Sequence, residues 1–167
     1  MNKGILAIAF LAAPCMAASL QDTRSAAQAG DAKAQEQLGV MYAQGQGVAR
    51  DFGAAVRWWR KAAEQGSPQA QYDLGLMYAL GKGVARDNHA ALSWCRKAAE
   101  QGMAKAEYYL GLQYGGGKWV ARDDATAYMW YSRAAAQGHE SARTLRDAIA
   151  STISAEQTAQ AHQLAQE

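Results

Sequence analysis

Ala34-Gln35-Glu36-Gln37-Leu38-Gly39-Val40-Met41-Tyr42, then Gly45-Gln46-Gly47-Val48-Ala49-Arg50-Asp51, then Ala55-Val56-Arg57-Trp58: this stretch decides the fold, because the chain writes its pattern three times. Residues 30–65 and 66–101 match at 23 of 36 positions without a gap, and residues 102–137 keep the same spacing. Fifteen positions are identical in all three copies, among them Leu38, Gly39, Tyr42, Gly45, Asp51, Trp58 and Gln65 of the first. A fourth copy starts at Gly138 with Ala142 and then drifts. A period of this length marks a stack of small units rather than one irregular domain.

Each repeated residue has a physical use. Ala34, Leu38 and Tyr42 stand at i, i+4 and i+8, one stripe of a first helix. Gly39 lies beside that stripe. A mid-helix glycine costs about 1 kcal/mol, so it predicts close approach of a neighbouring helix. Gly45-Gln46-Gly47 ends the first helix, Val48 fills the bend, and Asp51 caps a second helix. That helix carries Ala55, Trp58, Ala62 and Ala63. The recurrence of Trp58, Trp94 and Trp130 marks them as wedges between helices, and Tyr42, Tyr78 and Tyr114 as core. One helix pair cannot bury its apolar face alone, but stacked copies share a continuous core. The expected architecture is all-α, a solenoid of about three and a half 36-residue helix-turn-helix repeats. Repeats occupy residues 30–65, 66–101 and 102–137. A half-repeat over 18–29 covers one end, and a worn fourth copy with a capping helix occupies 138–167. Ser154-Ala155-Glu156-Gln157 has the capping-box form and starts that last helix, expected over Ala155 to Gln166.

The first residues read as a leader. Lys3 is followed by the apolar and small-residue run Gly4 to Ala13, and Cys15-Met16-Ala17 offers the small residues a signal peptidase reads. A signal peptide over residues 1–17, cleaved after Ala17 or Ala18, predicts a periplasmic or secreted protein. The apolar run is shorter than the ~20 residues that span a bilayer, so no membrane span is expected after cleavage. Pro14 before Cys15 does not fit a lipoprotein signal. Loss of Lys3 leaves 16 basic residues against 15 acidic ones, a net charge of +1. Interspersed, near-neutral charge makes no electrostatic case for nucleic acid or for a polybasic membrane contact. Cys15 leaves with the leader, so Cys95 stands without an intrachain partner; its place in the repeat predicts burial.

The quoted motif, kept at one spacing three times, resembles the Sel-1-like repeat, a relative of the tetratricopeptide repeat. The resemblance implies a right-handed superhelix of antiparallel helix pairs. It also implies a scaffold or adaptor role in protein–protein contacts, in bacterial envelopes or in secretory-pathway quality control. A disulfide-rich branch of the family is linked to binding or cleaving β-lactams. Here Cys95 takes the place of Trp59 and Tyr131 and has no partner cysteine, so that activity is not supported.

Other constellations lead to blander readings. Gly115-Gly116-Gly117-Lys118 has Leu112 where a phosphate loop needs glycine, and Trp119 where it needs Ser or Thr. His89, His139 and His162 have no ligand partner at metal spacing, so no metal or cofactor is expected. The candidates for function are the first-helix positions that differ between copies: Gln37, Met41 and Gln44, then Asp73, Met77 and Leu80, then Tyr109, Gln113 and Gly116. In a solenoid these rows line the concave side and offer a groove to a partner protein or peptide. Tyr108 beside Tyr109, and Trp119 in place of Gly47 and Gly83, single out the third copy, since exposed aromatics are typical binding hot spots. A short solenoid's open end also offers a homodimer contact. The alternative is a cell-envelope enzyme or enzyme accessory acting on peptidoglycan or β-lactams, which would need a deep pocket gathering ionisable groups.

Overall fold

The computed structural model describes residues 12–164, with side chains from Leu20 onward. The expected leader, residues 1–17 with Cys15, therefore lies outside the residues whose side chains are described. The described residues form α1 (Ala12–Gln28), α2 (Ala32–Gln44), α3 (Phe52–Glu64), α4 (Pro68–Leu80), α5 (Asn88–Glu100), α6 (Ala104–Gly116), α7 (Asp124–Ala136), α8 (Glu140–Ala150) and α9 (Ala155–Leu164). The protein is all-α.

Local chemistry sets the helix ends. Asp51, Asp87 and Asp123 each accept from a backbone N–H in the first turn of the following helix, at Ala54, Ala90 and Thr126, over 2.9–3.0 Å. Asp31 and Ser67 do the same for α2 and α4, while Met103 gives α6 no side-chain cap. Gly45, Gly81 and Gly117 end the first helices in the left-handed region, at φ 75°, 66° and 61°, which favours glycine because a Cβ would crowd the backbone.

Packing alternates along the chain. Within a repeat, α2 lies on α3, α4 on α5 and α6 on α7; each second helix then lies on the next first helix. Leu38, Leu74 and Leu110 are fully buried in these seams. The mid-helix glycines sit where sequence reasoning placed a close approach. A Cβ at Gly39 would fall 2.5 Å from the Trp59 ring, at Gly75 2.5 Å from Cys95 Sγ, and at Gly111 2.5 Å from the Tyr131 ring. The wedge is thus the residue after the recurring tryptophan. This corrects the expectation for Trp58 and Trp94: both are half-buried, each with a lysine ammonium over its ring, and only Trp130 is buried. Tyr42, Tyr78 and Tyr114 are also half-buried, because their hydroxyls reach the surface to accept from Arg24, Arg60 and Arg96. Arg24 stands one period before Arg60, so α1 supplies the first rung of a ladder that ties each second helix to the following tyrosine.

A second ladder is polar and buried. Gln35 donates to the Ala27 carbonyl at 3.0 Å and Gln71 to the Ala63 carbonyl at 3.1 Å. Gln65 and Gln101 close it by donating to Gln35 and Gln71, both at 2.8 Å. These bonds satisfy amides that burial would otherwise strand. The third repeat places Glu107 there. Its carboxylate accepts from Gln137 at 2.6 Å and from Arg133 at 3.1 Å.

The array stops at α8 for a chemical reason. Ala142 keeps its register and is buried. The next repeat positions, leucine then glycine in the other copies, hold Arg146 and Asp147, which pair with each other at 2.7 Å. No helix can wedge against that pair without desolvating it. Helix α9 instead folds back onto α7, burying Ala161 in the cluster that holds Met129 and Trp130. Its start is the expected capping box: Ser154 Oγ accepts from Gln157 N–H at 3.2 Å and Gln157 Oε1 from Ser154 N–H at 2.9 Å.

Candidate functional site

The three rows of variable first-helix residues end up in different environments. In the first, Gln37 and Gln44 are exposed and Met41 is half-buried. The second is split. Leu80 is 59% exposed, Asp73 is half-buried, and Met77 is only 9% exposed, packed in the core with Trp59 and Leu74. Met77 is therefore a core residue and not a groove-lining one, a correction that follows from the close seating of α4 on its neighbours. In the third row Tyr109 and Gln113 are half-buried and Gly116 is exposed.

The aromatics of the third copy are not exposed as the sequence suggested. Adjacent residues on a helix point roughly 100° apart, so Tyr108 and Tyr109 part company. Tyr108 turns toward α8 and stacks on the His139 ring, centroids 4.3 Å apart, while His139 Nδ1 caps α8 by accepting from Ala142 N–H. Tyr109 turns the other way and meets Tyr72 edge-on at 6.4 Å and Trp119 at 6.3 Å. Trp119 is half-buried, with the Arg86 guanidinium 5.8 Å from its ring centre. Tyr109 Oη and Trp119 Nε1 are both buried without a hydrogen-bond partner.

The face has other features that the sequence did not reveal. Leu112 is 38% exposed and with Leu80 makes up the large exposed hydrophobics of the described residues. Leu112 escaped notice because Val40 and Leu76 hold the same register, and an apolar residue in every copy reads as core. Burial holds the Asp73 carboxyl above the usual carboxylate range. The Glu36 charge across the repeat boundary adds to this, while a hydrogen bond from Gln69 and the charge of Lys105 oppose it. Beside Glu36 lies a cavity of about 690 Å³, lined by Thr23, Glu36, Gln37, Val40, Met41 and the turn Gly45-Gln46-Gly47. Two expected binding residues, Gln37 and Met41, are thus brought to one concavity with residues the sequence had not singled out.

Cys95 is fully buried under Gly75, as its register predicted. Desolvation pushes its thiol up to about 12. Native protein at mildly alkaline pH is expected to stay unlabelled by iodoacetamide over a period that fully labels the urea-unfolded chain, because the reactive species is the accessible thiolate. Equal rates, followed by mass spectrometry, would contradict that burial. Among the described residues, no three of His, Cys, Asp and Glu cluster to hold a metal ion, and no helix is long and apolar enough to cross a membrane.

Comparison with known proteins bears on this geometry. The family model described as Sel1 repeat matches residues 32–67, 68–103 and 104–139. A crystal structure of a Sel1 repeat protein from Oxalobacter formigenes is similar at 43% identity and a TM-score of 0.71, over 77% of this chain and 97% of that one. A second is that of c5321, a protective antigen present in uropathogenic Escherichia coli strains displaying an SLR fold. It is 42% identical with a TM-score of 0.73 over 74% of this chain, and this chain spans 27% of that one. No curated protein matches.

Proposed function

Because the chain belongs to the Sel1 repeat family, we propose that it is an exported scaffold that holds another protein or peptide against the face of α2, α4 and α6. One observation supports this above the rest: registers kept in every copy serve caps, turns and seams, while the first-helix face beside the cavity carries residues that differ between copies and that no cap, seam or ladder uses. There Gln37 and Gln44 are exposed, and Leu80 and Leu112 offer apolar surface to a partner. Lys3, the run Gly4–Ala13 and Cys15-Met16-Ala17 support export to the periplasm or beyond, and so does the likeness to a protective antigen. Cleavage after Ala17 would keep Leu20, Arg24 and Ala27, the part of α1 that packs on α2.

The test is site-specific photocrosslinking in cells. A photoreactive residue at Gln37, Leu80 or Leu112 is expected to trap the same partner. One at Glu64 or Glu100, exposed on second helices, is expected to trap none. Equal trapping from both sets, or none from the first, defeats the assignment of the face. Tyr109 and Trp119 are less suitable probes than their sequence positions suggested, since truncating them also opens the packing around Tyr72.

A further inference from the structure

Resting on that protein-binding reading, we propose that the cavity beside the first inter-helix turn is a socket for an aromatic side chain of the partner, an indole by preference. The third repeat holds the filled form of the same site. Gln37 and Gly47 of the cavity correspond, two periods on, to Tyr109 and Trp119, whose rings lie 6.3 Å apart. Where the third repeat inserts its own aromatic pair, the first has a glycine and an exposed polar residue.

The second repeat closes this register in another way. A Cβ at Gly83 would fall 2.3 Å from the Phe52 carbonyl, so the turn there is pressed against the start of α3. Among the described residues, a Cβ at Gly47 would meet Met41 Cε at 3.8 Å and Leu20 Cδ2 at 3.9 Å, which is ordinary contact with an apolar floor. Among the described residues, the first repeat thus combines a turn glycine with an apolar concavity beside it. Its volume of about 690 Å³ falls in the range of small-ligand clefts.

Polar groups favour an indole over an aliphatic side chain. Trp119 Nε1 in the third repeat is buried with no acceptor. The rim of the first-repeat cavity has the Glu36 carboxylate and the Gln37 amide. Among the described residues, Ser67 donates to Oε2 of Glu36 at 2.6 Å and none donates to Oε1. An incoming indole therefore meets apolar atoms below and acceptors at the edge, the combination its ring and N–H require.

The probe is N-acetyl-tryptophanamide, titrated into the isotope-labelled full chain and followed by NMR. Saturable shifts are expected at the Gly47 amide and the Met41 methyl, with N-acetyl-leucinamide binding at least tenfold more weakly. Gln37→Trp, at an exposed position where the fold tolerates it, is expected to fill the socket and abolish those shifts. Absence of saturable shifts, equal binding of the leucine amide, or unchanged shifts in Gln37→Trp would each overturn the socket. Selection of displayed peptides on the immobilised chain separates this from failure of the scaffold reading. Enriched peptides carrying an aromatic residue, released by Gln37→Trp, support the socket. Enriched peptides without one overturn it and leave the scaffold standing. No enriched peptide, together with no crosslinks on the first-helix face, overturns both.

Discussion

Gly75→Ala is expected to lower the unfolding free energy by about 3 kcal/mol, the upper end of the usual cost of overpacking a core. The added methyl would lie 2.5 Å from Cys95 Sγ and 3.0 Å from the Ala91 carbonyl oxygen. The first neighbour sits on a buried side chain enclosed by alanines, and the second is backbone of a helix held at both ends. Relief therefore requires α4 and α5 to move apart, and that loosens the seam around Leu74. Cys95→Ala in the same chain removes the sulfur clash but not the carbonyl, so the double variant should recover part of the loss. Gly116→Ala makes the opposite control, because nothing lies within 4 Å of its Cβ. There the ordinary helix preference for alanine should stabilise by roughly 0.5–1 kcal/mol. Urea unfolding followed by circular dichroism reads all three. Wild-type stability for Gly75→Ala would mean that the helices are not seated as closely as the structure places them.

The second large effect concerns Glu107. Burial raises its carboxyl above the usual range even though Arg133 and Gln137, which donate to it, pull the other way. Its side chain is 1% exposed and that of Arg133 32%. Removing one member of a buried pair strands the other, so Arg133→Met should cost about 2–4 kcal/mol at neutral pH, discounted for the partly solvated arginine. The sign of the pH dependence follows from the raised pKa. The folded chain holds this proton more tightly than the unfolded chain, so stability falls as pH rises from the ordinary glutamate range through the folded value. Arg133→Met raises that value further. Its deficit should be full at neutral pH and shrink as acid protonates Glu107. Glu107→Gln restores the amide that Gln35 and Gln71 provide, and should flatten the pH dependence without loss at neutral pH. Thermal melts across a pH series test both. A deficit in Arg133→Met that does not change with pH would show that the loss comes from packing on Trp130, whose ring centre lies 5.1 Å from the guanidinium carbon, and not from the charge.

The substitution of Glu107 for glutamine shows how far a repeat can be read from its letters. The change was visible in the alignment of the copies, as was its companion, Arg133 in place of Lys61 and Lys97. That the two residues touch was not visible, because they lie in different helices and no sister repeat pairs those positions. The same limit explains Trp58 and Trp59. Recurrence singled out Trp58, yet the mid-helix glycine receives Trp59, Cys95 or Tyr131. A position that holds three unlike residues looks variable in sequence, although all three fill one gap against one glycine. Recurrence reports what cannot change, and a wedge can change as long as its neighbours accommodate it.

The candidate face divides similarly. Its outline was legible, since first-helix positions that differ between copies include Gln37 and Met41 beside the cavity. Met77 was not placed correctly, and the ring partners of Tyr108 and Tyr109 were not visible, because both depend on the neighbouring repeat. Taken alone, the sequence determined the period, the all-α class, the aspartate caps, the turn glycines, the close approach at Gly39, Gly75 and Gly111, the burial of Cys95 and the capping box at Ser154. These follow from forces acting within a turn or two of helix, or from a register repeated three times. Only the tertiary structure decided which aromatics are buried, where α9 docks, what Glu107 meets and where the open cavity lies. Each of these is settled by the side chains of an adjacent repeat, and burial is a property of the pair of surfaces rather than of either residue alone.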